Sequence, residues 1–204
     1  MLTLHPHPAT PCAAVHSLQV TVERTEEGGL RLQYRLSGDL TQIRIPEPQT
    51  PVFADGLWEH TCFEAFIGVR GESGYHEFNF SPSGQWAAYT FSGYREIEGR
   101  KSSPGPSFFK GGELDRDSVG CCGVESGFPL CKRGIEGDLL LQVVIVTTDL
   151  PPNSGNNPFE LGLTAVIETT SGEKSYWALQ HPAARPDFHL RSGFTCQTAS
   201  NGCF

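Results

Sequence analysis

The chain has 204 residues, with 23 acidic side chains against 15 basic ones and a formal charge of −8. That balance argues against sequence-independent binding to nucleic acid and against an anionic membrane surface, both of which need a surplus of Lys and Arg. No stretch approaches about 18 uninterrupted apolar residues, so no transmembrane helix is expected.

A chain of this length reads as one domain over 1–204, able to bury roughly 70% of its unfolded surface without disulfide staples. Its 23 Gly and 15 Pro indicate many turns and few long helices, which favours an all-β domain. The start, MLTLHPHPATPCAAVHS, lacks a basic segment followed by an apolar run, so the expected location is cytoplasmic. The seven cysteines form no regular framework and are then expected to be free thiols.

Residues 1–14, with three prolines, read as an extended N-terminal segment. Two alternating runs follow, Ser17–Arg24 and Leu30–Ser37, around TEEGG. Leu18, Val20 and Val22 should share a side with Leu30, Leu32, Tyr34 and Leu36 in a hairpin. A short strand is expected at Gln42–Ile45, then a proline-bearing loop, PEPQTPVFADG.

The clearest pattern lies between Asp55 and Arg95. Three runs, Thr61–Val69, Tyr75–Ser81 and Gln85–Phe91, joined by RGES and SPSG, predict a three-stranded antiparallel meander. Centring the first hairpin near Gly71–Glu72 sets Glu64 opposite Asn79 and Phe66 opposite Glu77. Phe63, Ala65 and Ile67 then join Phe80, Phe78 and His76 on a core face. The other face carries Cys62, Glu64, Phe66, Tyr75, Glu77 and Asn79. Such a face can be plain solvated sheet or a ligand-binding surface, and the pattern alone favours the solvated reading. In the second turn, a bulged loop with Gly84 in the left-handed region would turn Trp86 into the core; SPSG fits that form better than a two-residue loop.

From 99 to 137 the pattern collapses into a long irregular insertion rich in Gly, Ser and charge, with at most one strand near Ser118–Glu125. Cys121, Cys122 and Cys131 fall there without CxxC spacing, so no metal site is assigned. Asp138–Thr147 is strongly apolar and β-branched and should lie in the middle of the sandwich. Phe159–Glu168 and Ser175–Leu179 alternate again, Phe194–Gln197 reads as an edge strand, and 198–204 as a tail without structure. The fold class is an all-β, two-sheet antiparallel sandwich.

Chemical motifs are few. There is no GxxxxGK loop, no HExxH and no GxSxG elbow. Glu64 and Glu77 could form an acid–base pair on adjacent strands, which keeps a glycoside-acting enzyme as an alternative. The segment YWALQHPAARPDFHL crowds Trp177, His181, Asp187, Phe188 and His189. Flat rings beside hydrogen-bonding groups suit a sugar, whose C–H face stacks and whose hydroxyls need polar partners. The bland counterpart is a core Trp177 and a proline-shaped loop. Histidine pairs could also serve a metal or haem iron.

WEHTCFEAFI, YHEFNFSPSGQWAAYTFSGYRE and YWALQHPAARPDFH together resemble the bacterial DOMON-like domains. These are β-sandwiches related to family 9 carbohydrate-binding modules and to cytochrome-type DOMON domains. The resemblance runs from the first hairpin to Phe194 and is weakest over 99–137. It implies a jelly-roll-like, non-enzymatic sandwich with a sugar or haem as ligand. Sugar-binding relatives clamp the ligand between rings, which points to Trp58 and Trp177. Haem-binding relatives use a methionine and a histidine; Met1 is the only methionine here, which leaves bis-histidine ligation through His60, His181 or His189.

The expected function is therefore non-catalytic binding of a small molecule, a saccharide before others, with no resident cofactor. The expected site joins Trp58, His60, Glu64 and Asn79 to Trp177, His181, Asp187 and His189. Haem or redox binding, glycoside hydrolysis and a structural or interaction role stand as alternatives.

Overall fold

The computed structural model describes residues 1–101, 106–108, 130–133, 136–155, 157–199 and 202–203. Among the described residues fourteen strands run in order: β1 Leu2–Pro6, β2 Val15–Arg24, β3 Leu30–Asp39, β4 Cys62–Val69, β5 Tyr75–Phe80, β6 Trp86–Gly93 and β7 Glu96–Lys101. There follow β8 Ser107–Phe108, β9 Leu130–Arg133, β10 Glu136–Ile145, β11 Phe159–Glu168, β12 Lys174–Ala178, β13 Cys196–Ala199 and β14 Gly202–Cys203. Described helix is confined to short 3₁₀ turns, none able to cross a membrane.

The strands form an antiparallel, sandwich-like pair of layers. The first sheet is built on β1–β2–β3–β10, with β8 and β9 on β10; the second runs β7–β6–β5–β4–β11–β12. Strand β1 belongs to both. Leu2, Thr3 and Leu4 pair with Val20, Gln19 and Leu18, whereas His5 and Pro6 pair with Ala178 and Trp177.

Alternation decides which side chains meet between the layers. Leu18 pairs with Leu36, Val20 with Tyr34 and Val22 with Leu32, and all are buried, as expected for the first hairpin. Against them pack Phe63, Ala65, Ile67, Phe78, Phe80 and Leu163 of the second sheet. Tyr34 spans the layers and donates its hydroxyl proton to the backbone carbonyl of Glu64 at 2.8 Å, so its one polar atom is satisfied in the core.

The meander has the expected register: Glu64 opposite Asn79, Phe66 opposite Glu77, Phe63 opposite Phe80. The second turn takes the bulged form. Gly84 has φ +93°, and Phe80 pairs with Trp86, which is buried between the sheets.

Several expectations need correction. Gln42–Ile45 is no strand: a 3₁₀ turn, Leu40–Gln42, capped by Asp39, precedes an isolated bridge from Ile43 to Thr169. Strand β10 lies beyond β3 and is flanked by short β8 and β9 rather than central, so only its inward residues Leu139, Leu141, Val143 and Ile145 are fully buried. The edge strand of the C-terminal part begins at Cys196 and pairs Gln197 with Glu160. Residues 198–199 and 202–203, expected to lack structure, lie in β13 and β14. Cys12 and Cys62 are free thiols, but Cys196 is disulfide-bonded, contrary to the expectation for all seven. Of the 99–137 insertion, β7 ends at Lys101, β8 and β9 are short, and β10 begins at Glu136. The strand expected near Ser118–Glu125, with Cys121 and Cys122, lies outside the described residues.

The two sheets differ in how far their outer faces meet water. The outer face of β3 is wet, its residues alternating between buried and open. Every residue of β4 and β5 is buried on both faces. The outer face of β4 and β5 is therefore covered, and the cover comes from residues 53–58 and 186–194.

Candidate ligand-binding site

Between that outer face and its cover lies a cavity of about 380 Å³. Glu64 and Phe66 of β4, Glu77 of β5, Tyr89 and Phe91 of β6, Val166 of β11 and Tyr176 of β12 present side chains to it. They share a face because they share a register: Glu77 lies opposite both Phe66 and Tyr89, and Val166 opposite Tyr176. Trp58, on the short 3₁₀ turn Leu57–Glu59, is 40% exposed and meets Tyr89 edge-on at 5.8 Å. Arg95, Ile97 and Lys174 line other parts, and Pro186, Asp187, Phe188 and His189 complete the wall.

The wall segment is pinned in two places. Asp187 accepts from the Tyr94 hydroxyl at 2.6 Å, from Arg95 at 3.0 Å and from the backbone N–H of His189 at 3.1 Å. These donors hold its carboxyl below the usual range although burial alone would raise it. Arg95 itself sits at φ +56°, a conformation that few non-glycine residues adopt, in the turn joining β6 to β7. Farther along, Arg191 donates to the Val69 carbonyl at 2.7 Å and to Glu160 at 3.2 Å, and Phe194 packs on Phe66 at 5.7 Å. Both lie over glycines. A Cβ on Gly68 would fall within the Arg191 guanidinium, and one on Gly162 would come 2.7 Å from the Phe194 ring.

The floor holds two carboxyls removed from water, Glu64 at 2% and Glu77 at 6% exposure. Burial, with a further push from Glu77, raises Glu64 to about 8 against one opposing hydrogen bond from Thr164. Burial raises Glu77 to about 7, opposed by a 2.7 Å bond from the Asn79 amide and by the charge of Arg95. Beside them, burial and then Arg95 depress His189 to about 4, so its ring is neutral near pH 7. The Tyr75 hydroxyl accepts from the backbone N–H of Arg95 and so gives its own proton to His189 Nδ1, 2.8 Å away. The Nε2 proton then faces Glu77 Oε2 at 3.8 Å.

The structure gathers some of the sequence-derived residues and scatters others. Trp58, Glu64, Asp187 and His189 line the cavity. Asn79 is fully buried and holds Glu77 without lining the space. His60 is 58% exposed at its side chain and turned to Glu168, 2.8 Å away. Trp177 is buried between the sheets, its indole N–H donating to Ser175 Oγ, because its neighbour Tyr176 takes the outward position. His181 donates from Nε2 to the His5 carbonyl at 2.8 Å and stands edge-on to His7. A clamp between Trp58 and Trp177 is therefore not formed. Nor is a histidine pair for haem: His60, His181 and His189 are each held by a different partner, and only His189 reaches the cavity. No group of three potential metal ligands occurs among the described residues.

Tyr89, Phe91, Arg95, Lys174 and Tyr176 also line the cavity and are absent from the site expected from the sequence. Carrying the bulged register one strand onward would have found the first two, since turning Trp86 inward turns Tyr89 and Phe91 outward. Lys174 and Tyr176 pair with Glu168 and Val166 across the short turn 169–173, so their parity follows once that hairpin's register is fixed.

No family model matches the sequence, and no curated protein matches it. Among solved structures, a "putative carbohydrate-binding protein" from Bacteroides uniformis is similar, with a TM-score of 0.52 and 14% sequence identity. The similarity covers 88% of this chain and 76% of that one, and at such identity it speaks to the fold.

Proposed function

We propose that the protein binds a small saccharide, without chemistry, in the cavity on the outer face of the second sheet. One observation carries this reading: a half-open indole, Trp58, stands over a floor where rings alternate with buried carboxyls. A sugar ring offers the complement, C–H faces for Trp58 and Tyr89 and hydroxyls for Glu64 and Glu77. The volume of about 380 Å³ falls in the usual range for small-molecule sites. The resemblance of WEHTCFEAFI and YHEFNFSPSG to the DOMON-like sandwiches supports the reading, as does the printed name of the Bacteroides protein. Isothermal titration against a panel of mono- and disaccharides tests it. Heat from at least one sugar, lost in Trp58→Ala, is expected; silence across the panel overturns it.

The two raised carboxyls also favour a second reading, hydrolysis of a glycoside by Glu64 and Glu77. Geometry favours binding. Glycosidase carboxyls flank the scissile bond, whereas these two rise side by side from one face of adjacent strands. Turnover of an aryl glycoside that disappears in Glu64→Gln would reverse this preference.

A further inference from the structure

Each floor carboxyl has one oxygen engaged and one left over. Thr164 donates to Glu64 Oε2 at 2.9 Å and Asn79 to Glu77 Oε1 at 2.7 Å. Among the described residues no donor comes within hydrogen-bond distance of Glu64 Oε1 or of Glu77 Oε2, which His189 Nε2 faces at 3.8 Å. Both side chains are more than nine-tenths buried and both line the cavity. The leftover oxygens open on the cavity rather than being sealed in protein, so they favour a ligand that brings hydrogen-bond donors, and more so one that brings positive charge.

The cations of the cavity do not meet this need. Arg95 is engaged by Asp187 at 3.0 Å, His189 is neutral near pH 7, and Lys174 is half-buried on β12, three strands away from β5 and two from β4. Around the carboxyls stand Phe66, Tyr89 and Phe91, whose ring faces attract a cation and exclude the water that would otherwise solvate it.

We propose that the ligand presents a protonated amino group to the free oxygens of Glu64 and Glu77, which makes an amino sugar the preferred saccharide. This rests on the saccharide reading of the same cavity but does not restate it, since a neutral sugar would satisfy that reading equally. Because the two carboxyls titrate together near neutrality, taking up a cation drives protons off them. Binding is then expected to release protons and to weaken as the pH falls below 7.

The test is titration with glucosamine, glucose, N-acetylglucosamine, glucuronate and cyclohexylamine, each in two buffers of different ionisation heat. The expected result is glucosamine ahead of glucose and N-acetylglucosamine by roughly tenfold or more, with a buffer-dependent heat that reports proton release. Glu64→Gln and Glu77→Gln should each remove most of that preference while leaving near-ultraviolet circular dichroism unchanged. Should one of them fail to fold, the other and the wild-type ligand series still decide the matter. Equal affinity for glucosamine and glucose, or a preference for glucuronate, overturns the inference and leaves the saccharide reading intact. Cyclohexylamine binding as tightly as glucosamine would uphold the amine and overturn the saccharide. No heat from any of the five overturns both.

Discussion

The guanidinium of Arg191 rests on the backbone of Gly68, in the space where a side chain there would begin. From that position it reaches the carbonyls of Val69 and Gly74 and the carboxylate of Glu160, and lies 5.0 Å from the Phe194 ring centre. One bare position in β4 thus lets a distant arginine tie the wall of the cavity to its floor.

Gly68→Ala should displace that guanidinium and cost about 1–3 kcal/mol of stability. Arg191→Ala should cost a similar amount, since it strips partners from half-buried Glu160. Because both changes undo one contact, the double variant should cost clearly less than their sum. Urea denaturation of the four proteins measures this, and simple additivity would show that the two residues act separately.

Trp58 and Trp177 should behave oppositely. Trp58→Ala removes a 40% exposed ring and should change stability by no more than about 0.5 kcal/mol while abolishing ligand heat. Trp177→Ala empties a place between the sheets and should cost about 3–5 kcal/mol. Thermal melts and titrations on the two variants separate the roles.

Stability should fall as the pH rises from about 4.5 to 8. Glu64 and Glu77 bind protons more tightly folded than unfolded, so over that window the native state holds more protons and is favoured at the acid end. His189 acts the other way between about 4 and 6.5, where the folded ring is the less protonated form. The decline should therefore be shallow below pH 6.5, steepest between about 6.5 and 7, and shallow again towards 8 where Glu64 alone titrates, with an upper limit of about 1.4 kcal/mol per pH unit for each carboxyl. Denaturation midpoints across this range, in wild type and in the Glu64→Gln, Glu77→Gln double variant, test it. A variant that keeps the decline would place its origin elsewhere.

Asn79→Ala should raise Glu77 further, because it removes the donor that favours the ionised carboxyl at Oε1. The Glu77 side-chain carbon, followed by NMR against pH, should titrate above its wild-type value. A cost of about 1–3 kcal/mol is expected for the buried acceptor left behind.

How far the sequence reached depends on whether a feature is local. The pairings of Glu64 with Asn79 and Phe66 with Glu77 follow from alternation and one hairpin turn, and both are written within twenty residues. That the same face is dry is not written there: its cover is supplied by Leu57, Phe188 and Phe194, two of them more than a hundred positions away. For this reason Glu64 and Glu77 read most simply as solvated acids. Trp177 failed as a clamp for a related reason. Inside a five-residue strand either Tyr176 or Trp177 can point outward, and only the pairing with β11 chooses. His60 and His181 sit close in sequence to cavity residues yet turn to Glu168 and His5; both lie outside the strands, where alternation does not set a side chain's direction.

Strand β1 gives three residues to one layer and two to the other. Sliding either layer along its neighbour would tear one of those short ladders, so the seam works as a rivet against shear. The floor of the cavity is thereby fixed to the layer beneath it as one unit.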